Sequence, residues 1–525
     1  MKNKSSFYKV SAGMLIFALS TPALLVGCSG PQPKTEGAIY DTGKVAEYAA
    51  PYVSYDANYN TEEYNAIDES NFKAVATSPL STFAADVDTA SYANIRRFIN
   101  SGELPPADAV RIEEMLNYFH YDYPQPNEGE PFSVTTEISA CPWNPDTKLM
   151  MVGMQAKQVD ELEKKPSNLV FLIDVSGSMD SPDKLPLVKN AFLLLCDQLK
   201  ENDTISIVTY AGSDQVVLEG AKGSDSKEIM TAIEDLEAGG STAGSEGIKT
   251  AYEIARKYFK ADGNNRVILA TDGDLNVGIT SEGELTRLIK KEKESGVFLS
   301  VLGFGTENIK DNKMEALADN GNGNYSYIDS RFEAKKVLSE ELGANFFTVA
   351  KDVKFQLEFN PKFIKGYRLI GYENRIMDDE DFKDDTKDGG EIGSGHRVTV
   401  LYEIVDKDSP MDIGSDLKYQ SSAVTESNDL LNIAVRYKEP DSETSKELNY
   451  PVTTEAIKAE LSDNMKFASA VAETGMLLRD SEFKGKSSYD SVVSILDSIP
   501  DIKNDTSKLE FLLLVKKIAT LTKEQ

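Results

Sequence analysis

The chain has 525 residues, of which 86 are acidic and 56 basic, so its formal net charge is −30. So acidic a protein, without a local basic patch, repels nucleic acid and anionic lipid surfaces, which excludes nucleic-acid binding. Only two histidines are present and no Walker-type or Gly-x-Gly-x-x-Gly loop occurs, which argues against serine hydrolase, zinc protease and nucleotide-binding functions. The length and a hydrophobic fraction of 40% indicate a globular protein of about two or three domains.

Residues 1–27 are predicted to be a lipoprotein signal peptide. A basic start with three lysines precedes an apolar stretch that ends in Leu-Val-Gly-Cys at 25–28. This ending resembles the lipobox of bacterial lipoproteins, and the resemblance implies that Cys28 is acylated and becomes the new N-terminus. Several acyl chains on one residue anchor a protein stably. We therefore expect a protein anchored to the cell membrane or outer membrane by lipid, facing outside the cytoplasm; an ordinary secretory peptide is the alternative.

Residues 28–80 are predicted to be a flexible tether, because prolines punctuate a polar stretch that has no sustained periodicity. A flexible coil of this length spans about 40 Å root-mean-square, which holds the body clear of a membrane. Six tyrosines between positions 40 and 64 are unusual for a spacer. They either dock on the folded body or lie in a partly ordered tail.

Residues 81–164 form the predicted N-terminal flanking region. A short strand is followed by a helix from about Thr89 to Asn100 and by a second helix after two consecutive prolines, which suit a helix start. Residues 131–140 and 147–155 then alternate in polarity like two strands.

Residues 165–345 alternate strand and helix as a doubly wound α/β domain does, with a mainly parallel, Rossmann-like sheet. Predicted strands such as 266–271 and 297–303 contain continuous apolar runs, as parallel strands covered on both faces do. The predicted strands lie at 168–174, 204–210, 215–219, 266–271, 297–303 and 324–328. The predicted helices lie near 183–200, 226–237, 244–260, 281–294, 311–319 and 331–341.

Residues 346–450 alternate with period two and predict a β-rich region, and 451–525 predict a helical C-terminal region. Its helices are expected at 453–480, 486–498 and 507–522. We hypothesise that the strands of 131–155 pair with this β-rich region, so that the α/β domain is inserted in one discontinuous β domain. Cys141 and Cys196 are expected to be buried thiols, with one disulfide between them as the alternative.

Oxygen-bearing side chains follow two of the predicted strands. Asp174, Ser176 and Ser178 come directly after the strand at 168–174, and Asp272 follows the strand at 266–271. Thr242 lies in a Gly-Gly-Ser-Thr loop immediately before a helix. Because ligands of α/β sheets bind beyond the carboxyl ends of parallel strands, these side chains make a plausible oxygen-donor metal site.

The order strand–Asp-x-Ser-x-Ser, loop–Thr and strand–Asp closely resembles the metal-ion-dependent adhesion site of von Willebrand factor type A domains, over about 165–345. The resemblance implies Ser176, Ser178 and Thr242 as hydroxyl ligands, with Asp174 and Asp272 acting mainly through bound waters. It also implies Mg²⁺, with Mn²⁺ or Ca²⁺ possible, and an acidic residue of a partner protein that completes the metal shell.

The flanks resemble the regions that bracket the type A domain in bacterial lipoproteins of YfbK-like architecture. The resemblance rests on four stretches: ADVDTASYANIRRFI, CPWNP, GYENR with the acidic residues after it, and KFASAVAETGMLLRDS. We therefore expect a non-enzymatic, lipid-anchored envelope protein that binds a partner protein. A structural scaffold with a merely stabilising metal is one alternative.

The other alternative is a metal-dependent hydrolase of the phosphoesterase type. Asp86 and Asp88 resemble the aspartyl nucleophile motif of haloacid-dehalogenase-type phosphatases, but Ala90 departs from that motif and a helix N-cap at Asp88 or Thr89 is preferred. The acidic loop 377–395 begins like an EF-hand at Asp384, yet it lacks the closing glutamate, so a solvated acidic loop is preferred.

Overall fold

A computed structural model of the chain describes residues 62–85, 88–159, 165–211, 213–240, 245–273, 282–306, 308–414 and 427–524. The predicted signal peptide, Cys28, Asp86 and Thr242 lie outside these ranges, so their predicted roles remain predictions. Within the described ranges, no helix combines the length and the apolar composition needed to cross a membrane.

The described elements include sixteen strands and twelve α-helices. The strands are β1 Lys73–Ala74, β2 Leu80–Ala84, β3 Phe132–Ala140, β4 Lys148–Ala156, β5 Ser167–Asp174, β6 Thr204–Ala211, β7 Ser213–Lys222, β8 Asn264–Thr271, β9 Phe298–Phe304, β10 Tyr325–Ile328, β11 Thr348–Phe359, β12 Ile364–Ile370, β13 Gly390–Gly393, β14 Arg397–Asp406, β15 Leu431–Lys438 and β16 Ser445–Val452. The α-helices are α1 Ala90–Ser101, α2 Ile112–Asn117, α3 Leu185–Cys196, α4 Ser226–Glu234, α5 Ser245–Lys257, α6 Glu282–Glu294, α7 Asp311–Asn320, α8 Arg331–Lys335, α9 Leu342–Phe346, α10 Asp463–Arg479, α11 Tyr489–Asp497 and α12 Thr506–Glu524. The 3-10 turns are Ala107–Ala109, Gly177–Asp180, Asp379–Lys383, Thr454–Ala456 and Ile502–Asn504, and Lys336–Glu340 is π-helical.

The α/β unit contains a six-stranded sheet in the order β10-β9-β8-β5-β6-β7. Its strands are parallel except for β7, which runs antiparallel to β6. All eight residues of β5 are buried, as expected for a central strand covered by helices on both faces. The predicted doubly wound α/β fold is confirmed, and the helix predicted at 331–341 begins as α8 and continues as a π-helical turn.

Two antiparallel sheets flank the α/β unit. One has the order β1-β12-β14-β4-β3, and the other has the order β13-β11-β15-β16 with β2 paired to β11. Strand β4 precedes the α/β unit in the chain and β14 follows it, yet Val152 of β4 lies opposite Val400 of β14. The predicted pairing of the 131–155 strands with the later β-rich region is therefore confirmed.

The C-terminal helices pack with α1 and α2 around an aromatic core. Tyr92, Phe119, Phe467 and Phe511 contact one another there, with ring centroids 4.8–6.3 Å apart. The prediction of a helix over 453–480 is wrong at its start, because β16 runs to Val452 and α10 begins only at Asp463. Ser462 explains that start, since its side chain accepts a hydrogen bond from the backbone N–H of Met465 as an N-cap.

The end of the predicted tether, residues 62–80, belongs to the fold, and the prediction is wrong for this part. Strand β1 pairs with β12, and Leu80 already begins β2. Glu62 accepts hydrogen bonds from Arg97 of α1 and from Tyr64, each at 3.0 Å. Backbone pairing and an ion pair hold this segment against the fold. Neither contact produces an apolar periodicity, so the sequence pattern did not indicate it.

Cys141 and Cys196 are both free and buried, which confirms the expectation of two thiols. They lie in separate cores: Cys141 packs in the helical C-terminal core and Cys196 beneath the α/β sheet. Burial raises the pKa of each thiol to about 12, so both are protonated at neutral pH.

Glu473, in the middle of α10, makes stability depend on pH. It is 1% exposed, its Oε2 accepts a hydrogen bond from Ser487 at 2.7 Å, and burial raises its pKa to about 7. Because the pKa in the folded state lies above that in the unfolded chain, its contribution is most favourable below about pH 4.5 and is lost as the pH rises to about 7.

We expect Glu473→Gln to raise the free energy of unfolding by about 3 kcal/mol at pH 8 and to change it little at pH 4. Urea denaturation at both pH values measures this difference. Glu482→Gln, in the exposed loop after α10, is the matched control. An equal effect of Glu473→Gln at both pH values would contradict the prediction.

Candidate metal centre

Asp174 is the last residue of β5, and its side chain is completely buried. Its Oδ1 accepts a hydrogen bond from the backbone N–H of Ser176 at 2.9 Å, which fixes the carboxylate at the turn. Burial raises the pKa of Asp174 to about 6; the hydrogen bonds from Ser176 oppose this rise, and the nearby charge of Asp272 adds to it. A buried carboxylate held in this way favours a cation beside it.

The two serines lie on the 3-10 turn that follows β5. Their hydroxyl oxygens are 3.0 Å apart; Ser176 is 2% exposed, whereas Ser178 is exposed to solvent. The Gly177 N–H donates to the carbonyl of Gly240 at 3.1 Å, so the loop that leads to Thr242 is tied to this turn. Gly240 has a φ of +89°, a conformation that favours glycine.

Asp272 directly follows β8, which lies beside β5 in the sheet. It is 1% exposed, and Thr271 before it donates its hydroxyl to Asp174 Oδ2 at 3.5 Å. The ammonium group of Lys184, immediately before α3, lies 2.9 Å from Asp272 Oδ2. Two adjacent parallel strands thus place both predicted carboxylates at the same edge of the sheet.

The structure brings together four of the five predicted metal ligands: Asp174, Ser176, Ser178 and Asp272. The fifth, Thr242, lies outside the described residues. Sequence reasoning missed Lys184, because its partner is 88 positions away and the residue resembles any other lysine at a helix start.

The donors present fit a hard divalent cation. Two carboxylates and two hydroxyls offer only oxygen, the ligand type that Mg²⁺, Mn²⁺ and Ca²⁺ prefer. Over the described part of the chain, no three His, Cys, Asp or Glu side chains converge to hold a metal. Any metal held at this edge therefore depends on the serine hydroxyls as well as the carboxylates.

The residues considered for a phosphoesterase have structural roles where the structure describes them. Asp88 is 2% exposed and accepts hydrogen bonds from the backbone N–H of Tyr325 at 2.8 Å and from Arg375 at 3.1 Å. The N-cap predicted at Asp88 or Thr89 is confirmed at Thr89, which caps α1 without a side-chain hydrogen bond. The Asp88 side chain instead contacts β10.

The acidic loop at 377–395 closes around a side chain of the protein itself. Lys354 is 0% exposed, and its ammonium group donates to the backbone carbonyl of Asp384 at 2.8 Å and to that of Lys387. The Asp384 carboxylate accepts hydrogen bonds from the N–H and the hydroxyl of Thr386, at 2.9 and 2.7 Å. The loop carbonyls thus surround an ammonium group, an arrangement unlike that of an EF-hand.

Comparison with known proteins agrees with this architecture. Three family profiles match: "von Willebrand factor" over 58–151, "von Willebrand factor type A domain" over 168–341, and "Uncharacterized protein YfbK, C-terminal" over 344–521. The YfbK protein of Escherichia coli (strain K12) is 42% identical over 469 residues, which cover 87% of this chain and 81% of YfbK. The chain belongs to the YfbK family.

Within this YfbK-family chain, the α/β unit is a von Willebrand factor type A domain. Protein sll0103 of Synechocystis sp. is 32% identical over 188 residues, 35% of this chain and 43% of that protein. A solved structure described as von Willebrand factor type A from Catenulispora acidiphila is 18% identical and covers 65% of this chain and 79% of its own, with a TM-score of 0.38. Type A domains commonly mediate protein–protein interaction, in some cases through a divalent metal.

Proposed function

We propose that this YfbK-family protein is a lipid-anchored protein of the cell envelope that binds a partner protein through a divalent metal. The metal would be Mg²⁺, with Mn²⁺ or Ca²⁺ as alternatives. It would be held by Asp174, Ser176, Ser178, Thr242 and Asp272. An acidic residue of the partner would complete the metal shell. The observation that carries the proposal is the meeting of two buried carboxylates and two hydroxyls at the carboxyl edge of β5 and β8.

The arrangement of these donors suits recognition at the surface. Asp174 and Ser176 are buried and fixed to each other, whereas Ser178 is exposed and gives an approaching ligand access to the site. The bound metal supplies a local positive charge that can attract a carboxylate. The chain around it carries a net charge of −30 and repels an acidic partner, so attraction depends on the metal.

Location at the cell envelope follows from the predicted lipidation of Cys28. The basic start, the apolar stretch and the Leu-Val-Gly-Cys ending support it. The anchor would place the metal site outside the cytoplasm, where partner proteins of the envelope are accessible. We propose a binding role without catalysis, because the acidic residues considered for a hydrolase accept hydrogen bonds within the fold wherever they are described.

A crosslinking pull-down from an envelope extract tests the proposal. We expect a partner to be captured in Mg²⁺ and lost when a chelator is added, and Asp174→Ala or Ser176→Ala to abolish capture while the fold stays intact. Ser181→Ala is the matched control, since Ser181 lies just beyond the same turn and donates to Asp183 instead. Capture that persists in chelator contradicts the mechanism, and capture insensitive to Asp272→Ala favours a scaffold with a merely stabilising metal.

A further inference from the structure

Lys184 brings a positive charge of the protein into the candidate metal centre. The residue is 7% exposed, and its ammonium group lies 2.9 Å from Oδ2 of Asp272, whose side chain is fully buried. A lysine is rarely buried unless its charge is paired, and here the pairing carboxylate is itself a predicted metal ligand. The lysine therefore neutralises part of the negative charge of the Asp174 and Asp272 carboxylates at the candidate metal centre.

The fold reserves space for this lysine. Gly305, just after β9, has a φ of +78°, and a Cβ atom at that position would collide with the methylene groups of Lys184. The carbonyl of Gly305 accepts a hydrogen bond from Tyr327 of β10 at 2.6 Å, which holds this backbone segment in place. The path of Lys184 to Asp272 thus depends on a glycine 121 positions further along the chain.

Charge decides what such a lysine does. The carboxylates of Asp174 and Asp272 with the ammonium of Lys184 sum to one negative charge. A divalent cation turns this sum into one positive charge, which attracts a carboxylate. Without the lysine, the same cation would meet two negative charges, bind more tightly and leave a neutral site.

We propose that Lys184 weakens metal binding and strengthens the binding of the acidic ligand to the metal-loaded site. This inference rests on the function proposed above. It names Lys184 as the residue that sets the balance between metal binding and the binding of the acidic ligand. A residue with a purely structural role would change both affinities in the same direction when replaced. The opposite signs expected here distinguish the two roles.

The test replaces Lys184 with Met and, as a second neutral variant, with Gln. Chelator competition measures Mg²⁺ affinity, and the relaxation of acetate methyl protons by Mn²⁺-saturated protein measures carboxylate binding. We expect Mg²⁺ to bind roughly tenfold more tightly and acetate roughly tenfold more weakly than in the parent chain. Lys189→Met on α3, the helix that Lys184 precedes, is the matched control, because the ammonium group of Lys189 donates to the carbonyl of Glu234.

Two results would overturn the inference, and they differ from each other. If the parent chain binds Mg²⁺ and folded Lys184→Met and Lys184→Gln bind it no more tightly, the inference about Lys184 is wrong while the proposed function stands. Absence of divalent-metal binding in the parent chain would overturn the proposed function together with it. Circular dichroism of each variant shows that the compared proteins are folded.

Discussion

Replacing Arg96 with methionine is expected to lower the free energy of unfolding by about 3–5 kcal/mol. Arg96 lies on α1, is 2% exposed, and forms ion pairs with Asp329, with Glu333 at 2.7 Å and with Glu510 at 3.2 Å. It also donates to the hydroxyl of Tyr118 at 3.0 Å. Removing the guanidinium leaves the buried carboxylates of Asp329 and Glu333 without the arginine that pairs with both, and removing one partner of a buried ion pair is strongly destabilising.

This arginine joins three parts of the chain. Asp329 and Glu333 belong to the type A domain just after β10, Glu510 lies on α12, and Arg96 itself belongs to the N-terminal flank. Its loss is therefore expected to weaken the attachment of the type A domain to both flanks as well as local packing. The arrangement fixes the orientation of the type A domain relative to the flanks.

Denaturant unfolding of the parent chain and of Arg96→Met measures this effect. Arg436→Met is the matched control, since Arg436 pairs with the exposed Asp385 at 2.8 Å and a surface pair contributes at most about 1 kcal/mol. A loss for Arg96→Met no larger than that of the control would show that the buried network does not hold the flanks to the type A domain.

Mg²⁺ is expected to stabilise the parent chain, and Asp174→Ala to remove that stabilisation completely. An ion that binds only the folded state stabilises it by about 2.7 kcal/mol at a concentration one hundred times its Kd. The buried Asp174 carboxylate is held in place by the backbone N–H of Ser176. Its replacement by alanine removes an oxygen that would bind the metal directly or through a water molecule. The midpoint of thermal unfolding with and without Mg²⁺ measures the difference.

Asp197→Ala provides the control for this comparison. Asp197 is exposed and lies at the C-terminal end of α3, so its replacement removes one negative charge away from the centre. We expect this variant to keep the full shift of the unfolding midpoint in Mg²⁺. An equal shift in Asp174→Ala would place the stabilising ion elsewhere on this acidic chain.

The α/β architecture and the meeting of its donor residues could be predicted because both depend on local patterns. Continuous apolar runs such as Leu169–Ile173 are typical of central parallel strands. The residues that directly follow parallel strands lie at the same edge of the sheet. Asp174 and Asp272 each follow such a run, so their proximity was predictable from strand order alone. The strands predicted on both sides of the type A domain led to the hypothesis that they pair, and β4 does pair with β14. Both strands are buried along nearly their whole length, which period-two alternation does not predict.

The features that the sequence did not reveal depend on single contacts between distant residues. Lys184 reaches Asp272 only because Gly305 leaves room, and Arg96 meets carboxylates more than two hundred positions away. Buried ion pairs have no periodicity, so their members resemble ordinary surface charges in a sequence. The docking of residues 62–80 escaped prediction for the same reason, since an ion pair of Glu62 and a short edge strand hold that segment.

A calorimetric titration of Mg²⁺ into the folded chain and into Ser176→Ala tests the central claim most directly. Ser176 offers a buried hydroxyl 3.0 Å from that of Ser178, and alanine removes it without adding charge or bulk. The parent chain is expected to bind one Mg²⁺ ion, and Ser176→Ala to bind at least about a hundredfold more weakly. A parent chain that binds none of Mg²⁺, Mn²⁺ and Ca²⁺, or a variant that binds as tightly as the parent, would contradict the account.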